Sequence, residues 1–441
     1  MEEKIRLSYG LAKAVWQSLN KQGIETRRTA GLMSDTFSRE ELEKVTALTL
    51  SDNSYSIKGI SHLKNLKTLF ISTTAPSHYA SQKDVISITD EEIIEIEQLS
   101  NLEHLSINNQ REIHLLDILN FPKLCTLEIT RCENLEAIVG LKENKTLSEL
   151  VIYDVNSMPK IDGLDKFIEQ NQNLTNLNLD VMFFPNAIGY RTYGAHNENA
   201  LKILDSMIDL KWTESVSAEK TDITHNQMKN MHKKACEIVA KHCKSSHDIE
   251  KVAAVNEYIA RNIKYNYSAL DSTFRGETKG DQYVGPKKGA NGAYNALMFN
   301  SCVCEGYTRA MQYLLNLVGV RTANTHCIAG KDTSGYAEKS KESASVFRLL
   351  PKDGFHSICR IERESGIFYC DPCWNAGRYQ KGDKSMPWLL LTKEQIAKTH
   401  TLSCNEQNSA HQKPIPKDVI DYAKQNVQKT FENEKDLQYN N

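Results

Sequence analysis

The pattern L-x-x-L-x-[L/I] recurs through the first half of the chain, and no other feature restricts its folding as strongly. It appears as VTALTL (Val45, Leu48, Leu50), LKTLFI (Leu66, Leu69, Ile71), LEHLSI (Leu102, Leu105, Ile107) and LCTLEI (Leu124, Leu127, Ile129). It continues as LSELVI (Leu147, Leu150, Ile152) and LTNLNL (Leu174, Leu177, Leu179). Most copies stand about 22 residues apart, with longer gaps where polar insertions such as TTAPSHYASQKD interrupt. Alternation puts the last two aliphatic side chains of each copy on one face of a short strand. One such strand cannot bury that face, whereas stacked copies share a continuous core. A solenoid is therefore predicted over residues 41–182, preceded by a helical cap over 1–40. Ser38 followed by Glu41 in SREELEKV forms a capping box at the end that needs covering.

These copies resemble the leucine-rich repeat family, in the bacterial form that reads hLxNLxxLxI, as in HLKNLKTLFI. The resemblance covers residues 41–182 and implies a sheet presented to a macromolecular partner. A protein or peptide substrate held through the repeats is the corresponding expectation. Nucleic acid is not expected as a partner, because a formal net charge of -2 offers no basic surface. Nor is a membrane, since no stretch approaches the roughly 20 apolar residues of a span. Eleven cysteines without a signal-peptide pattern fit free thiols in a reducing compartment. A cytoplasmic location follows, with export lacking a cleaved signal as the alternative.

The repeat pattern stops after Asp180, and residues 183–220 read as a connector. Helical spacing then takes over. Met228, Met231, Ala235, Ile238 and Val239 share one stripe, and Ile249, Val252, Val255, Ile259 and Ile263 share a second. A Gly- and Lys-rich loop, RGETKGDQYVGPKKGANG, leads to NSCVCEGYTRAMQYLLNLVG. There Tyr307, Met311, Leu314, Leu315 and Val318 mark a buried stripe that Gly319 ends. Cys304 falls at the N-terminus of this helix, where unpaired amides and the helix dipole favour a thiolate. The same amides suit the oxyanion formed when a thiolate attacks a carbonyl. Cys302 lies outside the helix and lacks that advantage.

A thiolate nucleophile needs a base that a third group orients. FHSICRIERESGIFYCDPCW reads as strand, turn at Glu364-Ser365-Gly366, strand. That register sets His356 opposite Cys373 with Asp371 as its diagonal neighbour, roughly 7–8 Å away along the backbone. Cys304, His356 and Asp371 are the candidate catalytic residues. A four-thiolate zinc site from Cys302, Cys304, Cys370 and Cys373 is the rival reading of the same cysteines. The CxxC pair encloses Asp371-Pro372 at a strand end, unlike a zinc knuckle, so no metal or cofactor is expected. No loop has a calcium-ligand pattern.

VNEYIARNIKYNY, CVCEGYTRAMQYLLNLVGV, FHSICRI and GIFYCDPCWN, in that order, resemble the transglutaminase-like family over residues 247–378. The resemblance places Cys304 on the family's nucleophile, His356 on its histidine and Asp371 on its aspartate. It implies a papain-type fold with a helical subdomain and an antiparallel sheet. The expected whole is thus two-part, α/β repeats followed by an α+β catalytic domain over 221–400 and a tail or helix over 401–441. Asn266, Ser357 and Cys373 depart from the family pattern without removing a catalytic group. A second oxyanion donor is not identified; Asn291, Tyr294 and Asn295 are candidates. The implied activity is cysteine-dependent amide hydrolysis or acyl transfer (protease, deamidase or transglutaminase). An inactive module of the same fold, used for binding, is the alternative.

Overall fold

The computed structural model describes residues 4–24, 35–51, 56–72, 88–110, 112–132, 135–153, 160–161, 163–180, 182, 198–207, 210–216, 219–269, 289–329, 355–402 and 413–439. The polar insertion at 73–84, much of the expected connector (183–197) and the loop at 270–288 lie outside them. The chain is mixed α/β and divides into two compact units. Met1–Tyr190 with Ala195–Thr213 form the first, and Arg191–Gly194 with Glu214–Asn441 the second.

In the first unit each repeat supplies one strand of a parallel ladder: β1 (Ala47–Leu50), β2 (Thr68–Ser72), β3 (His104–Asn108), β4 (Thr126–Thr130), β5 (Glu149–Tyr153) and β6 (Asn176–Asp180). Leu48, Leu69, Leu105, Leu127, Leu150 and Leu177 pair rung to rung, as do Leu50, Ile71, Ile107, Ile129, Ile152 and Leu179. Nearly all of these side chains are buried, forming the shared core that alternation requires. The opposite face is polar and laterally tied, for example by Ser106 Oγ to Glu128 Oε2 at 3.2 Å. The asparagine of each hLxNL copy closes the turns: Asn65 donates to the Glu43 carbonyl at 2.9 Å, and Asn101 to the Lys64 carbonyl at 2.8 Å. The capping box at Ser38 and Glu41 is formed.

The sheet continues beyond the predicted end of the repeats. β7 (Leu210–Val216) pairs through its first four residues with β6, setting Leu210 beside Leu177 and Trp212 beside Leu179. Trp212 is fully buried. The expected connector over 183–220 therefore contains a helix (Glu198–Ser206) and a ladder strand. The repeat was hidden because tryptophan stands where leucine or isoleucine stood before.

In the second unit α1 (His225–His242) and α2 (Asp248–Asn262) carry the predicted apolar stripes. β8 (Lys264–Tyr265), α3 (Ala293–Phe299) and β9 (Ser301–Cys302) lead into α4 (Cys304–Leu317). A four-stranded antiparallel sheet follows, ordered β12 (Gly366–Cys370), β11 (Phe355–Arg363), β10 (Arg321–Ala329) and β13 (His400–Leu402). α5 (Pro372–Tyr379) leaves β12 directly. The tail forms α6 (Lys417–Tyr439), which docks on α2, with Phe431 stacked on His242 at 4.2 Å. Among the described residues no helix is long and apolar enough to cross a membrane.

Candidate active site

α4 is buried on almost every side from Glu305 to Leu315, more than the single stripe predicted. Such a helix needs its polar residues paired inside the protein. Tyr307 donates to the Ile263 carbonyl at 3.0 Å. Arg309 lies 3.9 Å from Glu305, and Glu305 accepts from Asn324 of β10 at 3.3 Å. Asn324 in turn accepts from the Ser357 hydroxyl. Thr308 donates to the Ser357 carbonyl at 3.0 Å. The residue after Cys304 and the residue after His356 are thus linked through shared partners. This gives Ser357 a physical role.

The helix start is fixed as tightly. The Val303 N–H donates to the Ala290 carbonyl at 2.9 Å, and the Asn266 N–H to the Cys302 carbonyl at 2.9 Å. Asn300 adopts the left-handed conformation (φ 53°) that turns the chain from α3 into β9, a conformation asparagine tolerates. Cys302 is buried against Gly306. Cys304 is half-buried at the first helical position. Of the oxyanion candidates, Asn291 and Tyr294 are half-buried and Asn295 is buried in α3.

His356 and Asp371 meet, though not as a strand pair. β11 and β12 keep the register of a short turn, with Arg363 opposite Gly366 and Cys359 opposite Cys370. β12 then ends, and Asp371 becomes the N-cap of α5 with Pro372 at the first helical position. The predicted pairing of His356 with Cys373 is replaced by a helix. Asp371 Oδ1 accepts the Trp374 N–H at 2.9 Å, and Oδ2 lies 2.8 Å from His356 Nε2. A carboxylate can only accept, so His356 donates from Nε2 to Asp371, and Nδ1 is the ring nitrogen left over for the Cys304 thiol, which lies close enough to help raise the pKa of the imidazole.

The electrostatics follow from burial and pairing. Burial alone would lower the pKa of His356, but the charge and hydrogen bond of Asp371, with Cys304 adding to them, raise it to about 10. Burial would likewise raise Asp371. The His356 charge and the hydrogen bonds from His356 and His400 instead hold it well below the usual carboxylate range. The site therefore stabilises His356 as an imidazolium held by the carboxylate, the form it takes on receiving the Cys304 proton.

His400 was not predicted. Its Nε2 lies 3.1 Å from the same Oδ2, and its side chain is fully buried. No motif surrounds it in KTHTL; its only sequence signal is the alternation of a short strand. Trp374 packs over both imidazoles, with ring centroids 4.6 Å from His400 and 5.7 Å from His356, and meets Trp388 edge-on at 4.9 Å.

The four cysteines of the zinc reading do not behave as a set. Among the described residues the four thiols form no group of ligating spacing. Cys370 donates to Asn256 at 3.5 Å. The group with ligating spacing is instead His356, Asp371 and His400, whose ligand atoms lie within 4.8 Å of one another. Each Nε2–H there already donates to the carboxylate, so hydrogen bonds neutralise it. His326 lies on β10 opposite Ser357.

No family model matches this chain, and no curated relative matches it. Among solved structures it is similar to an internalin from Listeria monocytogenes, at 18% identity over 39% of this chain and 55% of that one, with a TM-score of 0.22. It is similar to a candidate cysteine protease from Cytophaga hutchinsonii, at 13% identity over 39% of this chain and 46% of that one, TM-score 0.21. A second Listeria monocytogenes internalin is similar at 17% identity over 39% of this chain and 84% of its own, TM-score 0.21. This chain thus spans about half the length of the first two.

Proposed function

We propose that the chain is a transglutaminase-like cysteine enzyme, an amide hydrolase or acyl transferase, whose leucine-rich repeats hold a protein substrate. The observation that carries this reading is the chain of contacts from Asp371 through His356 to Cys304 at the start of a buried helix.

His356 Nδ1 takes the Cys304 proton, and the thiolate forms a bond to the amide carbonyl carbon. The carbonyl oxygen gains the negative charge, facing the N–H groups at the start of α4. Collapse breaks the C–N bond, and the imidazolium returns its proton to the departing amine. The acyl-thioenzyme is then attacked by water, which yields an acid, or by an amine, which yields a new amide. In either case His356 accepts the incoming proton and the thiol is restored. Asp371 stabilises the imidazolium throughout.

Alkylation by iodoacetamide, mapped by mass spectrometry, tests the nucleophile. Cys304 should react ahead of the buried thiols, and His356→Ala should slow it by about 10²-fold or more at neutral pH. Slow, uniform labelling of several cysteines would favour the alternative, a catalytically inactive binding scaffold. A glutamine-bearing protein offered with and without an amine then separates cleavage, ammonia release and cross-linking.

A further inference from the structure

The second imidazole on Asp371 is held more completely than packing requires. His400 Nε2 donates to Oδ2 at 3.1 Å, and its Nδ1 lies 2.8 Å from Thr399 Oγ1. Thr399 Oγ1 also accepts from Trp388 Nε1 at 3.2 Å, and the Ile396 carbonyl lies 3.3 Å away. When His400 is neutral, the Thr399 hydroxyl donates to Nδ1. When His400 is charged, Thr399 accepts from it and turns its own proton to Ile396. Both charge states are satisfied, so His400 can donate to the carboxylate in either one.

The reaction needs such a hold. Without His400, Oδ2 would keep only its bond to His356 among the described contacts, and His356 becomes charged twice in each cycle. The Trp374 N–H fixes only the other oxygen. A carboxylate gripped on both oxygens stays in place while the imidazole takes and returns its proton.

We propose that His400 is a positioning residue, clamping the Asp371 carboxylate so that His356 keeps Nδ1 aimed at Cys304. This inference rests on the reading of Cys304 as the nucleophile. The titratable groups around it are Asp371, His356 and Cys304, together with Cys327 of β10 and Cys373 of α5. Burial raises both Cys327 and Cys373 well above the usual thiol range, so neither titrates near neutrality.

The test is the pH profile of Cys304 alkylation in the full chain, comparing wild type with His400→Phe and His400→Gln. Phenylalanine keeps the ring and removes both nitrogens; glutamine can return an N–H to Oδ2. His400→Phe should slow alkylation about tenfold at pH 7 and move the acid limb up by about one unit, a tenfold loss of thiolate at a given pH. His400→Gln should restore the wild-type limb. An unshifted limb in His400→Phe with an unchanged thermal midpoint overturns the proposal. So does a His400→Gln limb displaced as far as that of the phenylalanine variant. If His400→Phe fails to fold, His400→Leu, which also removes both nitrogens, takes its place with the same expected shift. The wild type and His356→Ala report separately on the nucleophile: if Cys304 is not preferentially labelled there, the underlying reading fails first.

Discussion

The two oxygens of Asp371 have separate sets of partners. Oδ1 caps α5 through the Trp374 N–H, while Oδ2 receives both imidazoles. The two roles separate in Asp371→Asn. Asparagine is as good an N-cap as aspartate, so α5 should persist and the thermal midpoint should fall only slightly. The amide nitrogen, however, would then face two Nε2–H donors. To avoid that clash of donors His356 must shift its proton to Nδ1, which presents an N–H to Cys304 in place of a lone pair. Loss of the anion also removes what raises the His356 pKa. Alkylation of Cys304 should therefore drop by about 10³- to 10⁴-fold at neutral pH. A variant that folds normally and keeps wild-type reactivity would show that Asp371 is only a cap. The sequence was enough to single out these three residues, but not His400, which reaches Oδ2 from a strand with no motif around it.

At the level of elements, the start of α4 depends on the absence of one side chain. A Cβ on Gly306 would stand 2.4 Å from Cys302 Cβ and 2.6 Å from the Ala290 carbonyl, and both neighbours are fixed by backbone pairing. Gly306→Ala should cost about 1–3 kcal/mol, the range for overpacking, and should lower Cys304 reactivity by displacing the helix tip. Gly377 in α5 is the counter-case, because nothing lies within 4 Å of its added Cβ. Gly377→Ala should stabilise the protein by about 0.5–1 kcal/mol through helix propensity alone. Denaturant titration of the two variants checks both signs, and a neutral Gly306→Ala would mean the helix tip yields freely. The end of β12 teaches a related lesson about reading elements. The hairpin register follows from its short turn, but extending the strand through Asp371 was an error of pattern. Aspartate followed by proline is an N-cap and first-position signal for a helix. The pair still meets, because the cap position lies just beyond the strand end and points its carboxylate back toward β11.

On the largest scale the two units were legible to different degrees. The ladder could be read from leucine spacing because each rung repeats the same burial problem. Its last rung could not, since Leu210 and Trp212 solve that problem with a different side chain. In the second unit the apolar stripes of α1 and α2 and the short turn between β11 and β12 were legible locally, whereas the pairing of β13 with β10 joins strands far apart in the chain. A ladder makes a specific energetic prediction. Leu127 sits in a central rung, paired with Leu105 on one side and Leu150 on the other, and is fully buried. Leu127→Ala leaves a cavity that both neighbouring rungs line, so it should cost about 2–5 kcal/mol. Trp212→Ala removes more volume, but its rung pairs with β6 through only four residues. It should cost about 3–5 kcal/mol in the same measurement. The site residues all belong to the second unit. In the folded fraction, Cys304 alkylation should therefore keep its wild-type rate and pH profile in both variants, even as protein-substrate turnover falls with the repeats' integrity. A shifted Cys304 profile in Leu127→Ala would instead mean that the ladder also sets the reactivity of the thiol.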